Sequence, residues 1–587
     1  MPSRSPGSRV TRSARNAGED FERYVSRGSN RAFVVVLLFL VLAGVFFARL
    51  FFLQVIVADD YSNQASQSRT SGLTVEPRRG TIYDRNGHIL AISLEATTVY
   101  ANPSEITEPN STARAIAEAL GGKASDYQSS LTESGSPTFS YVARKVDVDK
   151  AAKLKELDLP GIYFLNDTKR EYPYGKVGGQ VIGACSVEVD EEANREYYVG
   201  ICGLEMYYNT ILSGTPGYSE AEIGADGTPI PGGVHEQTPV VDGQDIVISI
   251  DIEFQEELEK DLKAGLERVQ VKSGSAVVMD ASTGEIYAAS SAPFFNPADR
   301  SKVEEGSMQL KAATNLFEPG SIFKTVAATA ILEEGTMTPD TEVKCPPYLE
   351  ADGYVVADAF AHDEVKMTLR DIINQSSNVG ISLSVEEHLG FNKFYDAIVR
   401  YRLDQLTGID YPGEQLGYLL GFDYWSKVQG YNATFGQGLS VNAFQMLAFY
   451  GALIDNGESQ TPHFLIRKPQ TGEIPQWESH QIIENTDAIA PMKSMLQTVV
   501  TDGTASDCGI EGYKLAGKTS TAEIYDEKDG GYRTDAYNIA FCGFIDESTS
   551  NLVCFCGADE VPNDRKVTMM FHDIMQHAID RYNIVAL

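Results

Sequence analysis

The sequence predicts a multidomain α+β protein with a single N-terminal membrane helix. Its 587 residues are too many for one hydrophobic core, so two or more domains are expected. Residues 32–57 are almost wholly apolar and exceed the about 20 residues that a bilayer span needs. A Gly- and Pro-rich stretch at 224–243 indicates a linker. It separates a region of short helices and strands at 58–240 from a second region at 245–587.

The first 31 residues form a basic tail with seven arginines, against Glu19, Asp20 and Glu22. Positive charge before a membrane span places the N-terminus in the cytoplasm and the rest of the chain outside. A cleaved signal peptide is the alternative. The apolar run is too long for one, and no small-residue cleavage site precedes Asp59 and Asp60. An uncleaved anchor is therefore predicted.

Composition excludes some function classes. The net charge of −34 argues against a nucleic-acid partner, because phosphate recognition needs a basic surface. No CxxC pair or Cys/His zinc spacing is present, so neither a metal nor another cofactor is indicated. Cys185 and Cys202 could pair, and Cys554 and Cys556 would share one face of a strand. Most of the cysteines are expected to be small, buried apolar residues. The seven are Cys185, Cys202, Cys345, Cys508, Cys542, Cys554 and Cys556.

The most informative stretch contains Ser321 and Lys324, which follow a turn at 318–320. A helix is predicted here because apolar residues recur at the i, i+3, i+4 spacing of one buried face. Ser321 and Lys324 are then neighbours on that helix. Ser321 would also lie at the helix N-terminus, where free N–H groups favour a developing negative charge. The apolar positions are Phe323, Val326, Ala327, Ala330 and Ile331.

Two further motifs follow in order. Ser376-Ser377-Asn378 comes first, and 518–521 reads Lys-Thr-Ser-Thr. Each motif alone has an ordinary structural explanation, since Ser376 could cap a helix and Lys518 could be a surface lysine. Together, S-x-x-K, S-x-N and K-T-x are the signature of penicillin-recognising serine acyl enzymes.

Strands and helices flank these motifs. A strand is predicted at 245–250, a helix from about Glu253, strands around Lys518 and at 539–544 and 552–556, and a closing helix at about 566–582. Residues 512–519 also match the P-loop pattern G-x-x-x-x-G-K-T. A phosphate cradle needs a buried strand before it and a helix after it, whereas here a polar loop precedes and a strand-like run follows. An NTPase is therefore disfavoured.

With these motifs the chain resembles class B penicillin-binding proteins, the monofunctional peptidoglycan transpeptidases. Glu318 before Pro319-Gly320 leans toward the division branch. The resemblance implies an elongated pedestal (dimerisation-type) domain at 58–240. It implies a β-lactamase-like transpeptidase domain, an antiparallel sheet flanked by helices, at 245–587. Further matching stretches are 79–87 with Leu90-Ala91, 170–173, 203–205, 212–217, 315–324 and 436–438 with Gln445.

The resemblance also implies residue roles. Ser321 attacks the D-Ala-D-Ala end of a stem peptide, and neutral Lys324 takes its proton. Ser376 passes a proton to the departing D-alanine, and Asn378 binds the substrate amide. Backbone N–H groups of Ser321 and Thr521 form the oxyanion hole. Lys518 and Thr519 hold the terminal carboxylate, and β-lactams would trap Ser321.

Ser520 departs from the family pattern, which has Gly after Lys-Thr. Its side chain would lie on the same side of the strand as that of Lys518. We expect its hydroxyl to bond Ser321, Lys324 or Ser376, and to slow β-lactam acylation relative to a Ser520→Gly variant. This departure keeps one alternative open, a catalytically weak scaffold of wall synthesis. A β-lactam sensor or β-lactamase is a third alternative, and the large pedestal and single N-terminal span argue against it.

Partners follow from the resemblance too. Class B members lack a polymerase of their own, which implies pairing with a SEDS-family glycosyltransferase in the division or elongation machinery. The contacts would run through residues 32–57 and the pedestal. The implied location is the bacterial cell membrane, with a single pass and the bulk of the chain outside the cytoplasm.

Overall fold

A computed structural model describes residues 32–58, 70–132, 139–190, 195–222, 235–526, 531–562 and 565–587. The basic tail at 1–31 and part of the predicted linker lie outside these residues. The strands are β1 (Thr70–Val75), β2 (Ile82–Tyr83), β3 (Ile89–Ala101), β4 (Ser140–Asp147), β5 (Ile162–Glu171), β6 (Ala184–Asp190), β7 (Arg195–Cys202), β8 (Gly217–Glu222), β9 (His235–Thr238), β10 (Ile246–Ile248), β11 (Gly274–Asp280), β12 (Ile286–Ala292), β13 (Glu342–Cys345), β14 (Tyr348–Ala351), β15 (Tyr354–Ala357), β16 (Val365–Thr368), β17 (Glu458–Gln460), β18 (Leu465–Arg467), β19 (Ser479–Gln481), β20 (Lys514–Asp526), β21 (Gly531–Asp546) and β22 (Leu552–Val561).

The α-helices follow the same order along the chain. They are α1 (Ala32–Ile56), α2 (Pro109–Leu120), α3 (Ala124–Thr132), α4 (Val148–Lys155), α5 (Gly179–Ile182), α6 (Gly203–Tyr207), α7 (Asn209–Ser213), α8 (Ile252–Val269), α9 (Lys311–Thr314), α10 (Lys324–Glu334), α11 (Leu369–Gln375), α12 (Asn378–His388), α13 (Phe391–Arg400), α14 (Lys427–Thr434), α15 (Ala443–Ile454), α16 (Ile489–Thr501) and α17 (Thr568–Tyr582).

The chain divides into two compact units. The first comprises residues 1–75 and 217–239. It contains α1, whose mean hydropathy of 2.8 and 25 residues make it long and apolar enough to span a membrane. It also contains a three-stranded antiparallel sheet in the order β1-β8-β9. The second unit comprises residues 76–216 and 240–587. The domain boundaries inferred from the sequence remain predictions.

The pedestal part of the second unit is organised around the long strand β3. Its N-terminal half pairs with β2, and its C-terminal half pairs with β4 and β5. Helices α2, α3 and α4 supply a small core with this sheet, in which Val99, Ile116, Leu131 and Leu154 are buried. Strand β10 continues the sheet parallel to β2 and leads into α8. The pedestal sheet therefore runs into the catalytic part of the unit.

Three of the family-like stretches meet at one buried ion cluster. Glu205, from α6, accepts from Arg79 Nε at 2.6 Å and from Arg170 Nε at 2.7 Å. Arg170 also donates to the Gly80 carbonyl at 2.8 Å, and Arg79 to the Glu205 carbonyl at 2.7 Å. Burial alone would raise the pKa of Glu205, but the charges of Arg170 and Arg79 lower it to about 2. This network accounts for the charged residues Arg79, Arg170 and Glu205 in three of the stretches that match the family.

Further contacts join the pedestal to the catalytic part within this unit. The Tyr208 hydroxyl donates to Asp410 Oδ2 at 2.5 Å, and Asp410 is fully buried. Asp410 also accepts from the backbone N–H of Phe464 and Leu465 at 2.6 and 2.8 Å. Arg85 pairs with Glu285 at 3.1 Å. The motif around Arg85 thus anchors the pedestal as well as forming its turn.

The catalytic sheet has five antiparallel strands in the order β12-β11-β22-β21-β20. Helices α8 and α17 pack against each other beside β12 and β22, while α10 and α16 belong to the group of helices near β20. Strand β20, which carries residues 518–521, lies at the edge of this sheet. The predicted strands and the closing helix are confirmed, and so is the α+β fold class with an antiparallel sheet flanked by helices.

Three expectations need correction. Ser321 lies in a 3₁₀ turn, Gly320–Phe323, and the α-helix begins only at Lys324. This helix is buried on all sides from Lys324 to Leu332 rather than on one face, because it runs through the core. The seven cysteines are free and buried, so Cys185 and Cys202 form no disulfide.

The ion cluster predicts a large effect of one substitution. Glu205→Gln should lower the free energy of unfolding at pH 7.5 by about 3 kcal/mol, because it leaves two buried guanidinium groups without their counter-charge. The depressed pKa means that this contribution is complete above the unfolded value, about 4.3, and is lost as pH falls toward about 2. Urea denaturation at several pH values measures it.

The matched control is Asp147→Asn, which removes an exposed partner of Lys169. That change should cost less than about 1 kcal/mol. Equal losses in the two variants would contradict a structural role for the buried cluster.

Candidate active site

The turn that carries Ser321 is fixed from both sides. Gly320 has φ +56°, and its N–H donates to the Gly436 carbonyl at 3.0 Å. A Cβ at Gly436 would meet the Gly320 carbonyl at 2.4 Å, so only glycine allows this approach. On the other side, the Tyr450 hydroxyl donates to the Ile322 carbonyl at 3.1 Å. Ser321 itself is partly exposed between these buried neighbours.

Lys324 is fully buried one turn after Ser321. Its Nζ donates to Ser376 Oγ at 3.1 Å and to the Ser376 carbonyl at 2.5 Å. Burial, reinforced by the charge of Lys518, lowers the pKa of Lys324 well below 10.5. A neutral amine at this point has a lone pair that can accept a proton. The structure therefore brings the first and second motifs together, as the sequence predicts.

Residues 376–378 form the junction between two helices. Ser376 ends α11 in the left-handed conformation with φ 60°, and Ser377 caps α12 by accepting from the Gly380 N–H at 2.8 Å. Asn378 donates through Nδ2 to the Ala357 carbonyl at 3.0 Å. The motif is thus also a helix junction, and its middle serine, which the motif leaves unspecified, supplies the cap.

Asp358 holds this junction, and sequence reasoning did not identify it. Its side chain is fully buried, accepts from the Ser377 hydroxyl at 2.7 Å and from the Val379 N–H at 2.9 Å, and lies 3.1 Å from His362 Nε2. Asp358 also favours the charged form of Lys324, although burial outweighs it. No motif marks this residue. Only the packing of β15 against α12 brings it beside the serines.

Lys518 is the second fully buried lysine of the site. Burial, with the charge of Lys566, lowers the pKa of Lys518 to about 7. Its Nζ lies 3.4 Å from Thr519 Oγ1, which in turn contacts Thr504 Oγ1 at 2.9 Å. Because the charge of Lys518 opposes protonation of Lys324, a proton on one amine disfavours a proton on the other. The third motif thus joins the first two.

Ser520 is buried on the same side of β20 as Lys518. Its hydroxyl donates to the Pro319 carbonyl at 2.6 Å. The prediction that it bonds Ser321, Lys324 or Ser376 is therefore wrong, since the nearest acceptor is the backbone immediately before the Ser321 turn. A Cβ on Gly320 would come within 2.4 Å of Ser520 Oγ, so the two positions are closely packed.

The remaining predicted residues have simpler surroundings. Thr521 is exposed on β20 and pairs with Ile539 across the sheet. Glu318 accepts from the Gly438 N–H at 2.9 Å and from the Tyr532 hydroxyl at 3.2 Å, and burial raises its pKa. The P-loop match at 512–519 lies largely within β20, and no helix follows it. That geometry does not form a phosphate cradle.

Two family models match the chain. The penicillin binding protein transpeptidase domain matches residues 274–576, which is over half of the 587 residues, and the penicillin-binding protein dimerisation domain matches residues 74–248. The chain belongs to the penicillin-binding protein transpeptidase family. The resemblance stated from the motifs is confirmed, and the catalytic sheet and pedestal correspond to the two family domains.

Individual relatives agree with this assignment. Penicillin-binding protein PbpB of Mycobacterium tuberculosis is 29% identical over 99% of this chain and 88% of its own length. Peptidoglycan D,D-transpeptidase FtsI of Escherichia coli K12 is 27% identical over 81% of this chain and 78% of its own. The crystal structure of penicillin binding protein 3 from M. tuberculosis complexed with aztreonam has a TM-score of 0.66 and 25% identity, covering 87% of this chain and 97% of that one.

The observed bond of Ser520 reverses the expected effect of its removal. Ser520→Gly should slow β-lactam acylation about fivefold, because it deletes the brace on the Pro319 carbonyl and a hydrogen bond is worth about 1 kcal/mol net. Stopped-flow acylation rate constants measure this effect. Ser520→Thr, which keeps the hydroxyl, is the matched control. A faster Ser520→Gly variant would contradict the bracing role.

Proposed function

We propose that this penicillin-binding protein cross-links peptidoglycan by D,D-transpeptidation through an acyl-enzyme on Ser321. One observation carries the proposal: a buried lysine, Lys324, with a strongly lowered pKa lies one turn from a partly exposed serine and contacts Ser376 Oγ at 3.1 Å. The name of the E. coli relative and the aztreonam complex of the structural relative support it. Ser321 is the nucleophile, and Lys324 is its base.

In the first step, Ser321 Oγ attacks the carbonyl carbon between the two terminal D-alanines. Lys324 Nζ accepts the hydroxyl proton, which requires the neutral amine that burial favours. The C–N bond then breaks and free D-alanine leaves. Its amine takes the proton from Lys324 through the Ser376 hydroxyl, which lies within hydrogen-bond reach of Nζ. The products are an acyl-enzyme ester and D-alanine.

The second step reverses the proton path. An amine from a neighbouring stem peptide attacks the ester, its proton passes through Ser376 to Lys324, and Ser321 leaves with a proton restored. The new amide is the cross-link. Asn378 binds the substrate amide, and Lys518 and Thr519 hold the terminal carboxylate. The N–H groups of Ser321 and Thr521 stabilise the oxyanion.

The membrane arrangement belongs to the same proposal. Helix α1 anchors the chain with a single pass, the basic tail remains in the cytoplasm, and the catalytic unit works outside, where peptidoglycan is assembled. We propose a SEDS-family glycosyltransferase as partner, contacted through α1 and the pedestal, because a transpeptidase needs newly polymerised glycan strands. Septal synthesis is the role favoured by Glu318.

Covalent labelling tests the nucleophile. A fluorescent penicillin should label the wild-type chain, and Ser321→Ala should abolish the label by removing the attacking oxygen. Lys324→Ala should slow labelling by about 10³-fold because it removes the base. Gel fluorescence and mass spectrometry of the labelled peptide measure this result. Ser307→Ala, a buried serine outside the site, is the control. No labelling of the wild type would favour the scaffold alternative.

Protease accessibility tests the orientation. Trypsin added to intact protoplasts should remove the catalytic unit while leaving a tag at the N-terminus protected, because the basic tail lies inside. Immunoblotting for both ends measures the outcome. A protected catalytic unit would place the bulk of the chain in the cytoplasm and would overturn a role in wall synthesis.

Helix replacement tests the partner. Exchanging residues 32–57 for an unrelated transmembrane helix should reduce co-purification with the SEDS-family protein several-fold, because the intramembrane contacts are lost while the anchor is kept. Quantitative immunoprecipitation from detergent extracts measures the change. Penicillin labelling of the same variant controls for folding. Unchanged recovery would leave the pedestal as the contact.

A further inference from the structure

A cavity of about 450 Å³ lies on the inner face of the catalytic sheet, beside the active site. Its floor is a row of small side chains across four strands. Ser520 pairs with Ala540, Ala540 with Gly557, and Gly557 with Ser275. Because none of these residues projects far from the sheet, the overlying segment at 315–317 leaves a space beneath it. The lining includes none of Ser321, Lys324, Ser376 and Lys518.

Both apolar and charged side chains line the cavity. The apolar lining residues include Phe317, Ile539 and Phe555. The charged lining residues are Lys272, Lys311, Asp559 and Glu560. This combination of an apolar body and a few polar groups is typical of small-molecule sites, whose volumes run from about 300 to 1,000 Å³.

The two carboxylates that line the cavity already have partners, which favours an anion as the ligand. Glu560 is paired with Arg533 at 3.1 Å, and Asp559 accepts from the Ser273 hydroxyl at 2.5 Å. Lys311 Nζ donates to the same hydroxyl at 2.5 Å. Among the described residues, Lys272 and Lys311 form no ion pair within 4.0 Å, and Lys311 Nζ donates to the Ser273 hydroxyl rather than to Asp559, so both ammonium groups can take an additional counter-charge. In a chain of net charge −34, two such lysines at one cavity are a distinct local feature.

We propose that this cavity is a binding site for a small organic monoanion with an apolar ring or chain. The apolar body would occupy the space over Ala540 and Gly557, and the carboxylate would pair with Lys311 and Lys272. The site differs from the one that holds the stem peptide, because Ser321, Lys324, Ser376 and Lys518 do not line it.

Ligand binding in the cavity should also affect the nucleophile, Ser321, through the side chain of Ser520. Ser520 forms part of the cavity wall, and its hydroxyl holds the Pro319 carbonyl two residues before Ser321. A ligand packed against Ser520 and Phe317 would restrict both ends of the segment that leads into the Ser321 turn. We expect a filled cavity to accelerate acylation. This coupling rests on the proposed role of Ser321, whereas binding itself does not.

Calorimetry on the full chain in nanodiscs tests the site, with 1-naphthylacetate as the probe. We expect saturable binding at one site. Lys311→Met and Lys272→Met should each weaken binding about tenfold, and so should replacing the probe by neutral 1-naphthylacetamide. Lys123→Met, an exposed lysine of the pedestal, should leave binding unchanged. Absence of saturable binding, or equal affinity for the acid and the amide, would overturn the proposal.

Filling the cavity supplies a second test. Ala540→Leu should abolish probe binding by occupying the floor. Ala312→Leu, at another lining residue, should do the same if the first variant fails to fold. Unchanged binding in a folded variant would place the probe elsewhere and overturn the site.

Coupling is measured separately by the rate of fluorescent penicillin labelling. Saturating 1-naphthylacetate should raise the rate constant at least about threefold in the wild type and leave it unchanged in Ser520→Gly. An unchanged wild-type rate with intact binding would overturn the coupling alone. Complete absence of labelling would instead contradict the proposed transpeptidase function, while calorimetry would still decide the site.

Discussion

Burial of two lysine amines within one cleft is the constraint on which the catalytic site depends. Lys324 and Lys518 are both fully buried; burial lowers the pKa of each amine, and the charge of Lys518 lowers the pKa of Lys324 further. Desolvation converts an amine that water would keep protonated into one that can accept a proton at neutral pH. The helices and the edge strand around these two lysines exclude water from their amines. Even the helix that begins at Lys324 is buried on every side, which an amphipathic surface helix would not be.

The pedestal also contains a buried ionisable group, but there the charged form is favoured. Burial would raise the pKa of Glu205, whereas the charges of two arginines lower it, so Glu205 stays ionised. Buried charges of this kind fix geometry more than they add stability. Arg79 and Arg170 come from segments far apart in sequence, and their convergence holds the stretch that leads into β2 against α6. Strand β10 pairs with β2 and then leads into α8, the first helix of the catalytic part.

Ser520 connects the active site with the cavity beside it. Glycine at this position would leave the Pro319 carbonyl without the hydroxyl that it now accepts from. Serine supplies that donor, and the row of small residues beside it leaves space that a longer side chain would fill. Ser520 departs from the family pattern, and the sequence alone suggested that it weakens catalysis. In the structure its hydroxyl has a supporting role. Its hydroxyl braces the turn that carries Ser321, and its side chain also lines the neighbouring cavity.

The sequence by itself determined the membrane anchor, the three motifs, the order of the catalytic strands along the chain and the family. Each of these depends on local composition or on short fixed spacings. Only the tertiary structure decided the rest: Asp358 beside the Ser376–Ser377 pair, the ion cluster around Glu205, and the partner of the Ser520 hydroxyl. These contacts join residues from 19 to 201 positions apart. No local pattern encodes such pairs, because they arise from how distant elements pack against one another.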